Sequence, residues 1–385
     1  MVNSRKAPIS SCADLEEYLQ KNATSKWKNL HNNRTLWEAY QEIKNNLKPI
    51  QENVTVGAMA EGFKEYCEKC RSDIEQIKKE SQNVSQELYD YFSSEHIIFL
   101  NDHGPEHIKK VIDRASDLLQ KTKLELDEFE SFILLCAIQI HDIGNVFGRT
   151  GHEKKLRPIF DENSQNIILD TPEKRVIQII AMAHGGKASD GSKNTISKLP
   201  EQEAILGTEI RTRFLAAILR FADELADDSS RANRSAMDLG IIGLDSILYH
   251  DYSTALHTVK VEKNQINNDY QIELIYEFET TMLSKKYAVA SVEKFLLDEI
   301  YDRTLKMERE RRYCMKFMKS AIDIERIIVS INIYDSHLNL FKSIRYTLED
   351  INYPDSPHLG CIKDIDSNIP NGNEMLQVMK QNEGD

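Results

Sequence analysis

One stretch constrains this chain more than any other: Phe132-Ile-Leu-Leu-Cys-Ala-Ile-Gln-Ile140, apolar nearly all round and followed at once by His141-Asp142-Ile-Gly144. A helix with no polar face belongs at the centre of other helices. Its last residues then carry an imidazole and a carboxylate into the interior, and Gly144 suits a helix C-terminus. Burying that carboxylate is costly unless a cation or hydrogen bonds compensate it. A metal ion supplies the compensation, and an ion pair with a nearby arginine is the plainer alternative.

Three further segments repeat the design. Asn101-Asp-His-Gly-Pro-Glu-His107 opens a helix, with Asn101 or Asp102 as its cap and Pro105 in its first turn. His107 lies along the edge of the apolar stripe through Val111 and Ala115 that follows it. The helical pattern around Lys174–Ala183 brings His184 onto its inward face and breaks at Gly185-Gly186. Phe214–Ala222 does the same for Asp223, while Glu224, one step round, reaches solvent. Five of the 11 histidines fall between His103 and His184. Four helices that each offer a ligand from an apolar face describe a mixed nitrogen and oxygen site inside a bundle, suited to Mn, Fe, Co, Ni, Zn or Mg. Two imidazoles and two carboxylates leave coordination positions open, which is the mark of a catalytic site.

These residues resemble the HD superfamily of metal-dependent phosphohydrolases, whose motif runs H…HD…D. His107, His141, Asp142 and Asp223 follow that order, 34 residues separating His107 from His141 and 81 separating Asp142 from Asp223. His141-Asp-Ile-Gly has the usual local form, and Arg220-Phe-Ala-Asp-Glu-Leu is similar to the family's R-x-A-D-x-L. The resemblance spans about residues 95 to 236. It implies a divalent ion, one or two per chain, held by those four residues. His152 and His184 resemble the histidines that members add between the HD pair and the last Asp. In deoxynucleoside triphosphate triphosphohydrolases such histidines meet phosphate or move protons, and in binuclear phosphodiesterases they bind a second metal; both roles stay open here. His103, one turn before His107, reads as a substrate-side or capping residue.

The chemistry expected of these parts is phosphoester hydrolysis, with an activated water as nucleophile and His184 or His152 as proton donor to the leaving oxygen. Cations near the site would neutralise phosphates: Lys187 after the glycine break, Lys154 and Lys155 beside His152, and Arg220 one turn before Asp223. The polar stretch Gly186–Lys198 looks like a mobile loop over the site.

The expected fold is mainly α: an N-terminal helical region over 1–90, an HD core over 91–236, an α+β region over 237–350 and a loop or tail over 351–385. In the third region His257–Lys263 and Tyr270–Glu279 alternate apolar and polar residues around a polar turn, a hairpin pattern. A long helix from about Ser291 to Lys319 and a strand from Arg326 follow. Trp27 and Trp37 read as packing residues, and Cys67 and Cys70 as thiols on a helix surface.

Composition narrows the function. A net charge of −13 argues against duplex nucleic acid, whose backbone calls for clustered cations. Six scattered cysteines do not form a disulfide framework, and no apolar run has the length of a membrane span or a secretory signal. The expectation is a cytoplasmic protein, with or without self-association, that meets a small phosphorylated substrate, a nucleotide first among them, and neither membrane nor long nucleic acid. Three functions remain: a (deoxy)nucleoside triphosphate triphosphohydrolase or related nucleotidase, a binuclear phosphodiesterase on a cyclic or oligonucleotide messenger, and a nucleotide sensor without turnover.

Overall fold

The computed structural model describes residues 12–54, 103–147, 151–169, 171–205, 207–232, 234, 237, 242, 244–266, 269–289, 292–350 and 359–382. The Cys67/Cys70 pair, the helical stretch 59–82 and the expected caps Asn101 and Asp102 lie outside them.

The helices are α1 (Leu15–Asn22), α2 (Leu36–Val54), α3 (Pro105–Gln120), α4 (Glu128–Ile140), α5 (His152–Asn163), α6 (Thr171–Met182), α7 (Thr212–Leu225), α8 (Leu244–Ala255), α9 (Leu296–Met318) and α10 (Gly372–Asn382). α4 is the axis of the bundle. Asp127 caps it by accepting from the Glu130 amide, and every residue from Phe129 to Ile140 is buried. α1, α2, α3, α6 and α7 surround it, as its lack of a polar face requires. The Trp27 ring stacks on Phe129 at 4.5 Å between centroids, so this tryptophan is a packing residue of the helix entrance.

Strands β1 (Glu203–Ile205) and β2 (Thr208–Ile210) form a small hairpin inside the segment read as wholly helical. The main sheet has the order β3-β4-β7-β8, built from β3 (Leu256–Lys263), β4 (Tyr270–Glu279), β7 (Ile324–Tyr334) and β8 (Leu340–Glu349). β3–β4 is the expected hairpin, and β4 and β7 are parallel, with α9 in the crossover between them. Ile272, Leu274, Tyr276 and Phe278 pair with Ile327, Val329, Ile331 and Ile333 to make the buried face.

α9 is the hinge between the two parts. It packs on α7 of the bundle and on β7 and β8 of the sheet, which explains why its buried residues, from Leu296 to Met318, run round most of its circumference. It starts later than its sequence suggests, because Val292–Phe295 forms β6, paired with β5 (Lys286–Val289). A second correction concerns the C-terminus. The segment read as loop or tail contains α10, anchored by buried Met375 and by a hydrogen bond from the Gly372 amide to Asp298 Oδ1 at 2.9 Å. Met375 and Met379, four apart, supply an apolar stripe too narrow to stand out among Asn and Asp neighbours. Among the described residues no helix is long and apolar enough to cross a membrane.

Candidate metal centre

The ends of α3, α4, α6 and α7 and the start of α5 meet at one point. α3 begins with Pro105 after Gly104 as N-cap, rather than after Asn101 or Asp102, so His107 lies in its first turn. Its ring is fully buried, with Nε2 3.1 Å from Asp223 Oδ1 and 3.6 Å from Asp142 Oδ2. His141 caps α4, and its Nε2 lies 3.5 Å from Asp142 Oδ2 and 3.6 Å from Asp223 Oδ1. Its Nδ1 donates to the Ile138 carbonyl at 2.7 Å, which leaves the Nε2 lone pair for the centre. Asp223 is 27% exposed, on the open side.

His107, His141, Asp142 and Asp223 each offer one atom, all within 4.8 Å of one another. The buried ring nitrogens of His107 and Nε2 of His141 have no hydrogen-bond partner among the described residues. Orphaned buried nitrogens are rare and costly. Paired with two carboxylates, they fit a divalent cation of the kind HD domains generally bind.

A second group adjoins the first. His152 Nε2 is 3.3 Å from Asp142 Oδ1 and 3.3 Å from His184 Nε2. His184 donates from Nδ1 to Ala181 O at 2.6 Å, the same device that orients His141. Asp142, His152 and His184 form a further set of candidate ligand atoms within 4.8 Å, and Asp142 belongs to both sets. Two glycines bring His152 there. Gly151, at φ +68°, turns the chain sharply into α5, and Gly144 lets the His152 backbone lie where a Cβ would otherwise be.

The electrostatics follow from this crowding. Burial works against charge on both carboxylates, yet the imidazoles around them hold Asp142 and Asp223 well below the usual carboxylate range. Burial likewise opposes a proton on His141, but Asp142 and Asp223 outweigh it and carry its pKa up to about 9. Burial dominates at His107, which is lowered, and at His103, which falls to about 4 despite its contact with Asp142. His103 Nδ1 lies 2.5 Å from Asp142 Oδ2, and Arg231 Nη2 lies 3.1 Å from His103 Nε2. His103 therefore buttresses the acid of the HD pair.

These groups open onto a cavity of about 210 Å³, lined also by Gly185, Gly186, Lys193, Arg220, Glu224, Asp227, Arg231, Arg303, Lys306, Met307 and Glu310. Lys187 is exposed, and neither it nor Lys154 or Lys155 lines the cavity. Arg220 does line it, but its donors are committed: Nε and Nη2 to Glu310 at 2.7 and 2.9 Å, Nη1 to the Lys193 carbonyl and Thr195 Oγ1. Glu224, expected to reach solvent, pairs with Lys306 Nζ at 2.6 Å. The polar loop is tied rather than loose, since Thr195 Oγ1 also donates to Ala183 O and the Ile196 amide to Tyr313 OH. The wall supplied by α9 escaped the sequence reading. The signal was there in Arg303, Lys306, Met307 and Glu310, which share one helix face, but it lies eighty residues past Asp223.

The HD-CE family model matches residues 97–306, more than half of the 385-residue chain. No curated protein and no solved structure gives a match.

Proposed function

The chain belongs to the HD-CE family, and from that premise we propose that it is a metal-dependent phosphohydrolase acting on a small phosphorylated substrate, a (deoxy)nucleoside triphosphate before others. The observation that carries this reading is the junction of the His107/His141/Asp142/Asp223 cluster with a cation-bearing cavity. A divalent ion, when bound, supplies Lewis acidity toward a phosphoryl oxygen and makes water nucleophilic near neutral pH. The protein's own groups do the rest. His141 is oriented by its Ile138 hydrogen bond, and Asp142 is braced by His103. To His152 and His184, 3.3 Å apart at the edge of the cluster, this reading assigns delivery of a proton to the leaving oxygen. The cavity is small, which favours a small substrate over a polymer.

A second reading has its own support. Asp142 offers Oδ2 to one ligand set and Oδ1 to the other, the arrangement a bridging carboxylate between two ions would need, as in a binuclear phosphodiesterase. Incubating the protein with Mn²⁺ and each nucleoside triphosphate, then cyclic and linear dinucleotides, separates the readings. Release of phosphate or tripolyphosphate is expected from the triphosphates. Turnover of the dinucleotides alone, with two metals per chain, would establish the second reading, and binding without turnover of any substrate would leave a sensor.

A further inference from the structure

We propose that α9 is the anion clamp of this cavity: Arg303 and Lys306, with Arg231 and Lys193, receive a run of two or more linked phosphates. The inference rests on the phosphohydrolase reading above and names the part of the substrate that is recognised.

Arg303 is fixed before any ligand arrives. Its guanidinium lies over the rings of Tyr249 and Tyr252, at 5.1 and 5.3 Å, and its Nε donates to Glu299 Oε1 at 2.6 Å. An arginine held by two rings and one carboxylate has already lost its rotamer freedom, so binding an anion costs it little further entropy. Lys306 is held by Glu224, and Arg231 by Asp227 at 3.4 Å. A guanidinium has five N–H donors and an ammonium three, so one carboxylate does not exhaust either. Lys193 is exposed and has no carboxylate at ion-pair distance among the described residues.

Charge points to the ligand. Arg303 and Lys306 stand three residues apart on one face, a rise of about 4.5 Å along the helix. Their head groups therefore enter the cavity from the same side, where one polyanion can meet both. Five cations line the cavity; with Asp142 and Asp223 assigned to a metal, Glu224, Asp227 and Glu310 line it against them and Glu299 stands behind Arg303, so cations remain in excess. Such a wall favours a polyanion over a phosphodiester that carries one charge. Arg220 takes no part, because Glu310 and the 193–195 loop occupy it.

The probe is inorganic tripolyphosphate against orthophosphate, titrated calorimetrically into the full chain as purified, without added metal. Wild type should bind tripolyphosphate at least tenfold more tightly than orthophosphate. Lys306→Gln and Lys193→Gln should each weaken tripolyphosphate fivefold or more, and Lys316→Gln, on the same helix but outside the cavity, should stay within twofold. Arg303→Gln should weaken it too, but its packing makes its melting temperature a necessary control, so the two lysine variants decide. Equal binding of the two anions by wild type overturns the proposal, as do lysine variants that keep wild-type affinity. A separate Mn²⁺ titration reads the metal centre; its failure would remove the phosphohydrolase reading while the anion titrations still decide the clamp.

Discussion

Asp142 bears on more partners than any other side chain of the centre. Its Oδ2 faces His103, His107 and His141, and its Oδ1 faces His152 and His184. Asp142→Ala should therefore reduce Mn²⁺ affinity at least about 100-fold, since losing even a residue that only orients a ligand costs about 10- to 100-fold, and abolish hydrolysis. Calorimetry and phosphate release check this, and a variant that keeps both would remove Asp142 from the site. His152→Ala should behave differently if it serves proton transfer: metal content stays at one per chain by elemental analysis, while kcat drops about 10²- to 10⁴-fold. A fall from two metals to one would assign His152 to a second ion instead. Gly144 has no chemistry of its own, yet a Cβ there would overlap the His152 backbone carbonyl. Gly144→Ala should cost about 1–3 kcal/mol in denaturant unfolding, the usual penalty of overpacking. It should also lower activity, because relief means moving His152 away from Asp142.

At the level of elements, what could be read in the sequence depended on how far apart the cooperating residues lie. α4 declares itself, since twelve successive buried residues leave no choice of environment, and the His141-Asp142 pair at its end shares that certainty. The β3–β4 hairpin is equally local. α9 is not. The sequence marks a long helix there but not what its Glu and Arg residues face, which is settled only where bundle and sheet close on both sides of it, and the rings that hold Arg303 come from α8, fifty residues earlier. Arg220 shows the converse: its place one turn before Asp223 suggested phosphate contact, but its partner Glu310 lies ninety residues on. α9 also carries Glu308, fully buried and accepting from Nε and Nη2 of Arg311 at 2.6 Å each and from Nε of Arg312 at 2.7 Å. Glu308→Ala would leave Arg311 buried without its carboxylate. Losing one partner of such a pair typically costs about 3–5 kcal/mol, so the denaturation midpoint should fall sharply while Mn²⁺ affinity of the folded fraction holds. An unchanged midpoint would mean that the pair contributes nothing net.

For the molecule as a whole, the question is whether the bundle can stand without the sheet. Its buried apolar residues form one continuous core, from Cys12 to Met379, and the family match ends at residue 306, inside α9. A chain cut after Asp323 keeps every candidate metal ligand but loses β7, β8 and α10. Ile272, Leu274, Tyr276 and Phe278 then lose their neighbours on β7, and one side of α9 meets water. An exposed apolar face of that extent cannot stay hydrated without loosening the packing beneath it. Because α9 also carries Lys306 to Glu224, next to Asp223, the loosening should reach the metal centre. The truncated chain should bind a hydrophobic dye, unfold over a broad range of denaturant and take up Mn²⁺ weakly, while a chain cut after residue 358, lacking only α10 and its approach, should still unfold in one step. If the shorter chain unfolds as sharply as the full one with unchanged Mn²⁺ affinity, the bundle is autonomous and α9 does not couple sheet to site. The opposite result would make the C-terminal sheet a structural requirement of the centre, through a helix that touches both.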